Sequence, residues 1–279
     1  PPKPEPFGAP FDALFQQRED EHVQALSRFN PGISPDLLLV MRSALAGLYW
    51  GKKFYCYEVT RWLEGDPTMP KPPDERWKSR NVFWRELYAN DVISMPDSWE
   101  YPYFCQWDLM FHAVAFTVFD PATAKQQCML LRSPHYTAPN AQTPAYEWAL
   151  SDPNPPIGAW AAMRIYQIDR KQSGVADQAF LRSALRKLLL EYGWWANRND
   201  RSGDNVFEGG FLGLDNIAVF DRRFPLADGS HIEQCDGTAW MASLSLNLLN
   251  IAVELSREEP EYIDICERFV CDFTQLAIT

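Results

Sequence analysis

The chain has 279 residues, of which 46% are hydrophobic and 23% charged, and it carries a net charge of −11. That length holds one large domain or two small ones around a sizeable core, and the acidic balance excludes nucleic acid and anionic membrane surfaces, which both need a basic face. Aromatic residues make up 14%, with 11 Trp, a surplus that favours an aromatic-lined cavity of the kind that stacks on sugar rings as well as plain core packing.

Residues 1–18, PPKPEPFGAPFDALFQQR, read as a proline-rich lead-in that holds no helix before about Phe11, and residues 19–279 read as one domain. The stretch SPDLLLVMRSALAGLYWGKKFYCYEVTRWL has a helical pattern: Ser34 can cap, Pro35 fits the first turn, and apolar residues recur at helical spacing through Trp50. Residues 64–98 form a long loop rich in proline and charge, whose aromatics (Trp77, Phe83, Trp84, Tyr88) favour an ordered, functional segment. Asp108 then lies near the start of an apolar helix carrying Phe111, Val114, Ala115 and Val118, which Pro121 ends before a second helix from about Ala122 to Leu131. After the loop YTAPNAQTPAYEWALSDPNPP, further helices are expected from about Gly158 to Gln172, Ala176 to Trp195, Gln234 to Arg257, and Glu261 onward. No strand pattern emerges. The organisation is all-α, with about four helical hairpins and polar-aromatic motifs in alternate loops. Such hairpins pack side by side, and curled into a ring they make a toroid with a pocket at one end. The last helix lacks a C-cap glycine and a polar tail, as if cut within a domain.

Six cysteines (Cys56, Cys105, Cys128, Cys235, Cys266, Cys271) are scattered without a C-x-x-C spacing, which favours free thiols in a reducing, cytoplasmic setting. The four histidines (His22, His112, His135, His231) are not paired at ligand spacing, so neither a zinc site nor a cofactor is expected. No apolar run approaches 18 residues, and no signal peptide or membrane partner is expected.

The stretch NVFEGGFLGLDNIAVFDRR, residues 205–223, sets Gly209, Gly210 and Gly213 among apolar residues around the pair Asp215–Asn216. Glycines so dense mark a backbone that bends or approaches something closely. A carboxylate there either closes an Asx-turn with Arg222 or Arg223 as ion partner, or is kept for chemistry. Four motifs share this composition: QWDLMF (106–111), DPNPPIGAW (152–160), EGGFLGLDN (208–216) and EQCDGTAWM (233–241). Each sets a carboxylate beside an aromatic residue or Gly/Pro at a helix end. Acids facing each other across one cavity suit glycoside cleavage, where one protonates the leaving oxygen and another activates water. The spaced carboxylates of DRSGDNVFE (200–208) miss the EF-hand pattern and read as a polar turn.

At the segments DVISMPDSWEYPYFCQWDLMFH, NPPIGAWAAMRIY, WWANRNDRSGDNVFEGGFLGLDN and QCDGTAWMA, the chain resembles bacterial-type glycoside hydrolases of family 63, in the branch of glucosidases and mannosylglycerate hydrolases. The resemblance runs from about residue 40 and implies a partial (α/α)6 toroid that hydrolyses terminal α-glucosides or α-mannosides with inversion, without a cofactor. It implies that Asp215 is the general acid and that Trp107 and Asp108 hold the sugar. Asn216, Gln234, Asp236 and Trp240 are implied as further substrate contacts, with Pro155 and Trp160 in the cavity wall. Without a ligand, Asp108 reads as a carboxylate favoured by a helix N-terminus, and Gln234 or Asp236 as a helix cap. The family's base is a late-loop Glu. Nothing after Trp240 fits it, since Glu254, Glu258, Glu259, Glu261 and Glu267 lie in amphipathic helices, so the chain by itself is expected to be inactive. A sugar epimerase on the same toroid, which would need paired histidines, and a carbohydrate-binding pseudo-enzyme are the alternatives.

Overall fold

Proline, serine and aspartate set the helix boundaries of this chain, and the helices they delimit pack as hairpins. A computed structural model describes residues 7–27, 32–96, 98–99, 103–130, 132–147, 149–198, 207, 226–230 and 236–278. The chain divides into two units, Pro1–Trp50 and Gly51–Thr279.

The first unit holds α1 (Ala9–Ser27) and α2 (Pro35–Trp50). Along α1, Phe11 and Phe15 continue a one-turn spacing from Phe7, with ring centroids 5.3 and 6.3 Å apart. Ser34 caps α2 as its sequence predicts, its hydroxyl accepting from the Leu37 N–H at 3.3 Å.

The second unit opens with β1 (Lys52–Glu58), which pairs antiparallel with β2 (Tyr88–Ser94) in the register Tyr55↔Asp91. This corrects the expectation of a chain without strands. KKFYCYE continues an apolar run that reads as helix, and its partner lies inside the stretch that reads as loop. The strand shows in the alternation instead: Tyr55 is buried between exposed Phe54 and Cys56, and Ala89 and Ile93 are buried on either side of exposed Val92. A short helix, α3 (Val59–Glu64), and a 3-10 turn at Asp74–Lys78 fill the connection.

Three helical hairpins follow: α4 (Gln106–Phe116) with α5 (Pro121–Leu130), α6 (Gly158–Ser173) with α7 (Gln178–Ala196), and α8 (Asp236–Ser256) with α9 (Ile263–Ile278). Pro121 begins α5 where it was expected to end α4, and Asp120 caps α5 by accepting from the Thr123 N–H at 3.0 Å. Asp177 caps α7 through the Phe180 N–H at 3.0 Å, and Gly174 closes α6 in the left-handed conformation (φ 74°). The fold is thus α-helical apart from one two-stranded sheet among the described residues, as its sequence predicts. The first helices of the hairpins lie side by side, α6 touching both α4 and α8. Ala159, Ala161 and Ala162, all fully buried, let those neighbours approach α6 from both sides. The hairpin of strands is held to the helices by Gln127 of α5, whose amide accepts from the Ser94 N–H and donates to the Val92 carbonyl, both at 3.0 Å.

Candidate active site

Side-chain pairs fix the direction of each helix. Phe111, midway along α4, meets Trp160, near the start of α6, with centroids 5.4 Å apart, and Gln172, at the end of α6, donates to the Val118 carbonyl just beyond α4 at 2.8 Å. Tyr166 and Arg170, in the second half of α6, both bond Glu254 in the last turn of α8, at 2.8 and 2.6 Å. The helices α4, α6 and α8 therefore run parallel, with their N-termini at the same end. Lys125 of α5 bonds Asp169 near the end of α6 at 2.6 Å, so α5 runs the opposite way. Arg182, in the second turn of α7, pairs with Glu259 just beyond α8, so α7 does too.

This polarity sorts the loops. Residues 117–120, 174–177 and 257–262 make short turns at one end, whereas 95–105, 131–157 and 197–235 make long connections leading into α4, α6 and α8 at the other. The described residues of the motifs singled out in the sequence, 106–111, 152–160 and 236–241, fall at or near the long-loop end. It also presents the N-termini of parallel helices, a favourable place for negative charge.

The structure brings three rings together at that end. Trp107 of α4 lies 6.0 Å from Phe111, and Phe111 in turn meets Trp160 of α6. Asp108 sits in the first turn of α4, where Tyr103 donates its hydroxyl to Oδ2 at 3.2 Å. Asp236 is the first residue of α8 and Trp240 lies one turn on, in the helix beside α6. The preceding loop reaches this turn through Phe207, whose N–H donates to the Thr238 hydroxyl at 2.9 Å. Asp215, Asn216 and Gln234, like the turn proposed within 200–208 (Phe207 aside), lie outside the described residues.

What holds this end in place was less visible in sequence. Cys105, at the N-cap of α4, makes no cap bond; Asn154 from the next long loop does the work, its Oδ1 accepting from the Trp107 N–H at 3.3 Å and the Cys105 thiol at 3.4 Å. Below it, Gln106 donates to Glu191 of α7 at 3.1 Å, and Glu191 faces Arg132 across 3.6 Å. Arg132 and Glu191 are only 6% and 4% exposed. The guanidinium lies against the backbone of Gly158: a Cβ there would come within 1.5 Å of Nη2, so a larger residue at the start of α6 would displace the guanidinium.

A second carboxylate, Glu147, supports the approach to α4 from the side of the strands. It accepts from the Phe104 N–H at 3.4 Å. Burial pushes its carboxyl above the usual glutamate range, against the lowering effects of this bond, a bond from Tyr55 and the charge of Lys53. Lys53 itself lies over the Tyr103 ring at 4.5 Å, and burial depresses its ammonium. Glu147 did not stand out in the sequence, and Asn154, although inside the motif 152–160, carried no assigned role, because both act through contacts to backbone far along the chain. Tyr103 was equally unflagged, although it falls five residues before Asp108 within the quoted segment.

An array of parallel helix N-termini that gathers carboxylates and indoles under long loops is the framework of a helical glycoside hydrolase. Residues 101–259 match the family described as mannosylglycerate hydrolase MGH1-like glycoside hydrolase domain, and the chain belongs to that family. It is also 48% identical over 261 residues to the uncharacterized protein YMR196W of Saccharomyces cerevisiae. That alignment covers 93% of this chain and 24% of the yeast protein, so the chain spans about a quarter of the relative's length. Among the described residues, no helix is long and apolar enough to cross a membrane.

Proposed function

We propose that the chain contributes to the catalytic domain of an inverting glycoside hydrolase that removes terminal α-glucosyl or α-mannosyl groups from small conjugates or oligosaccharides. The observation that supports this reading most is the gathering of Trp107, Asp108 and Trp160 at the long-loop end, with Asp236 and Trp240 at the start of the neighbouring parallel helix. Asp108 accepts sugar hydroxyls while Trp107 and Trp160 offer apolar faces to the ring. Asn216, Gln234, Asp236 and Trp240 complete the contacts.

Asp215 acts as general acid, protonating the glycosidic oxygen as the bond to the anomeric carbon breaks. Its apolar sequence neighbours Phe211, Leu214 and Ile217 disfavour a charged carboxyl. Water attacks the anomeric carbon from the opposite face and gives its proton to a second carboxylate, roughly 6.5–9.5 Å from the first. That second carboxylate is assigned to none of the residues of this chain, which by itself binds sugar without turning it over. The hairpins form part of an (α/α)6 toroid, and the chemistry needs no cofactor.

The test is hydrolysis of α-glucosides and α-mannosides, including glycerate and glycerol conjugates, by a protein spanning the length of the yeast relative, with the product anomer followed by NMR. Release of the inverted sugar by wild type, lost in Asp215→Asn while binding persists, is the expected result. Turnover unchanged in Asp215→Asn would remove the acid from this assignment. Sugar binding without hydrolysis in wild type would make the domain a carbohydrate-binding pseudo-enzyme.

A further inference from the structure

Phe111 is out of place for a core residue. Its neighbours on α4, Leu109, Met110, Ala113 and Phe116, are fully buried, yet Phe111 is 46% exposed. Leaving so much of a phenyl ring in water forfeits burial worth about 1 kcal/mol or more, on a helix that otherwise packs tightly. The ring is nevertheless held in a defined place. It lies between the indoles of Trp107 and Trp160, tilted 58° to the first and 59° to the second, and so bridges α4 to α6. Both indoles keep part of their surface open as well. The three rings make one aromatic band from the first turn of α4 to its middle and across to the first turn of α6, and Phe111 is its centre.

We infer that Phe111 is a sugar-contacting residue, the middle ring of a band that receives the C–H face of a pyranose. The inference rests on the proposed glycosidase reading and deepens it. Phe111 stays 46% exposed between the two tilted indoles, and a pyranose presents clustered C–H groups on one side with hydroxyls at its rim. The hydroxyls then turn outward toward the carboxylate of Asp108, which follows Trp107 and lies three residues before Phe111 on the same helix.

The role of Phe111 separates cleanly from packing because three substitutions differ in what they keep. Phe111→Tyr keeps the ring, Phe111→Leu keeps apolar bulk without a π face, and Phe111→Ala keeps neither. Binding of methyl α-D-glucopyranoside and methyl α-D-mannopyranoside to the full-length protein would be measured by saturation-transfer NMR and calorimetry, with thermal unfolding as a control on folding. We expect Phe111→Tyr to bind like wild type, and Phe111→Leu and Phe111→Ala to bind about tenfold more weakly with unfolding unchanged. If wild type binds and Phe111→Leu binds equally well, Phe111 is a packing residue and the inference falls while the glycosidase reading stands. If wild type binds neither glycoside, the glycosidase reading falls and takes the inference with it.

Discussion

The buried pair Arg132–Glu191 offers a stringent test of how the long-loop end is held. The charged atoms are 3.6 Å apart and the side chains are 3% and 5% exposed. At an effective dielectric of about 20, that separation gives an attraction of about 4–5 kcal/mol. Desolvation costs several kcal/mol for each ion, so the pair as a whole contributes little net stability. Removing one partner is another matter. Glu191→Leu strands the guanidinium beneath the backbone of Gly158 and also takes the acceptor from Gln106, so it should cost about 3–5 kcal/mol. Arg132→Met strands the carboxylate and should cost a similar amount. The double variant removes both charges and leaves an apolar contact of similar volume, so it should be markedly more stable than the sum of the single losses implies. Urea unfolding of the full chain, with slopes compared across the four proteins, measures the coupling. Additive losses, with no recovery in the double variant, would show that the two charges do not depend on each other and would refute the reasoning.

Two further outcomes follow from the same end of the molecule. Glu147 holds its proton more tightly in the folded protein than in the unfolded chain, because burial raises its carboxyl above the ordinary value. The stability it contributes is complete below the ordinary glutamate range and is lost as pH rises through the raised value. Glu147→Gln should therefore flatten the fall in stability between acidic and neutral pH, which chemical denaturation at a series of pH values would read; an unchanged slope would place the proton elsewhere. Tyr103→Phe removes the hydroxyl that bonds Asp108 and, if Asp108 holds the sugar, should raise KM about tenfold with kcat little changed, the loss expected for a hydrogen bond to a charged group. A fall in kcat at constant KM would instead tie Tyr103 to the chemical step.

Local signals carried the helices. Ser34, Asp120 and Asp177 cap, Gly174 closes a helix, and apolar spacing sets the buried faces, so α4 to α9 can be read within a few residues of where they lie. The strand pair was hidden because each partner makes sense only beside the other: Lys52 pairs with Ser94, and nothing near Lys52 announces it. Site residues divide the same way. Trp107, Asp108, Trp160, Asp236 and Trp240 stand in motifs whose composition betrays them. Asn154, Arg132 and Glu191 serve the site through distant partners, the last two as a buried charge pair, and composition carries no mark of that.

The sorting of loops by length explains why the visible motifs and the hidden supports share one end. A turn of a few residues only has to reverse the chain, and a cap with one ion pair suffices, as Asp177 and Lys125 provide at the far end. The connection of 27 residues at 131–157 is too long to be held by its own local bonds, and at the long-loop end it is tied to neighbouring elements. Asn154 does this by capping α4 from the loop before α6, and Asn81 does it from the strand connection, donating to the Glu147 carbonyl at 2.6 Å and accepting from the Leu150 N–H at 2.9 Å. The first tie satisfies a backbone group that the start of α4 leaves open, and the second satisfies backbone groups within the connection itself. The same arrangement that stabilises the end therefore brings Trp107, Asp108 and Trp160 together, so the support and the proposed binding surface share one set of contacts.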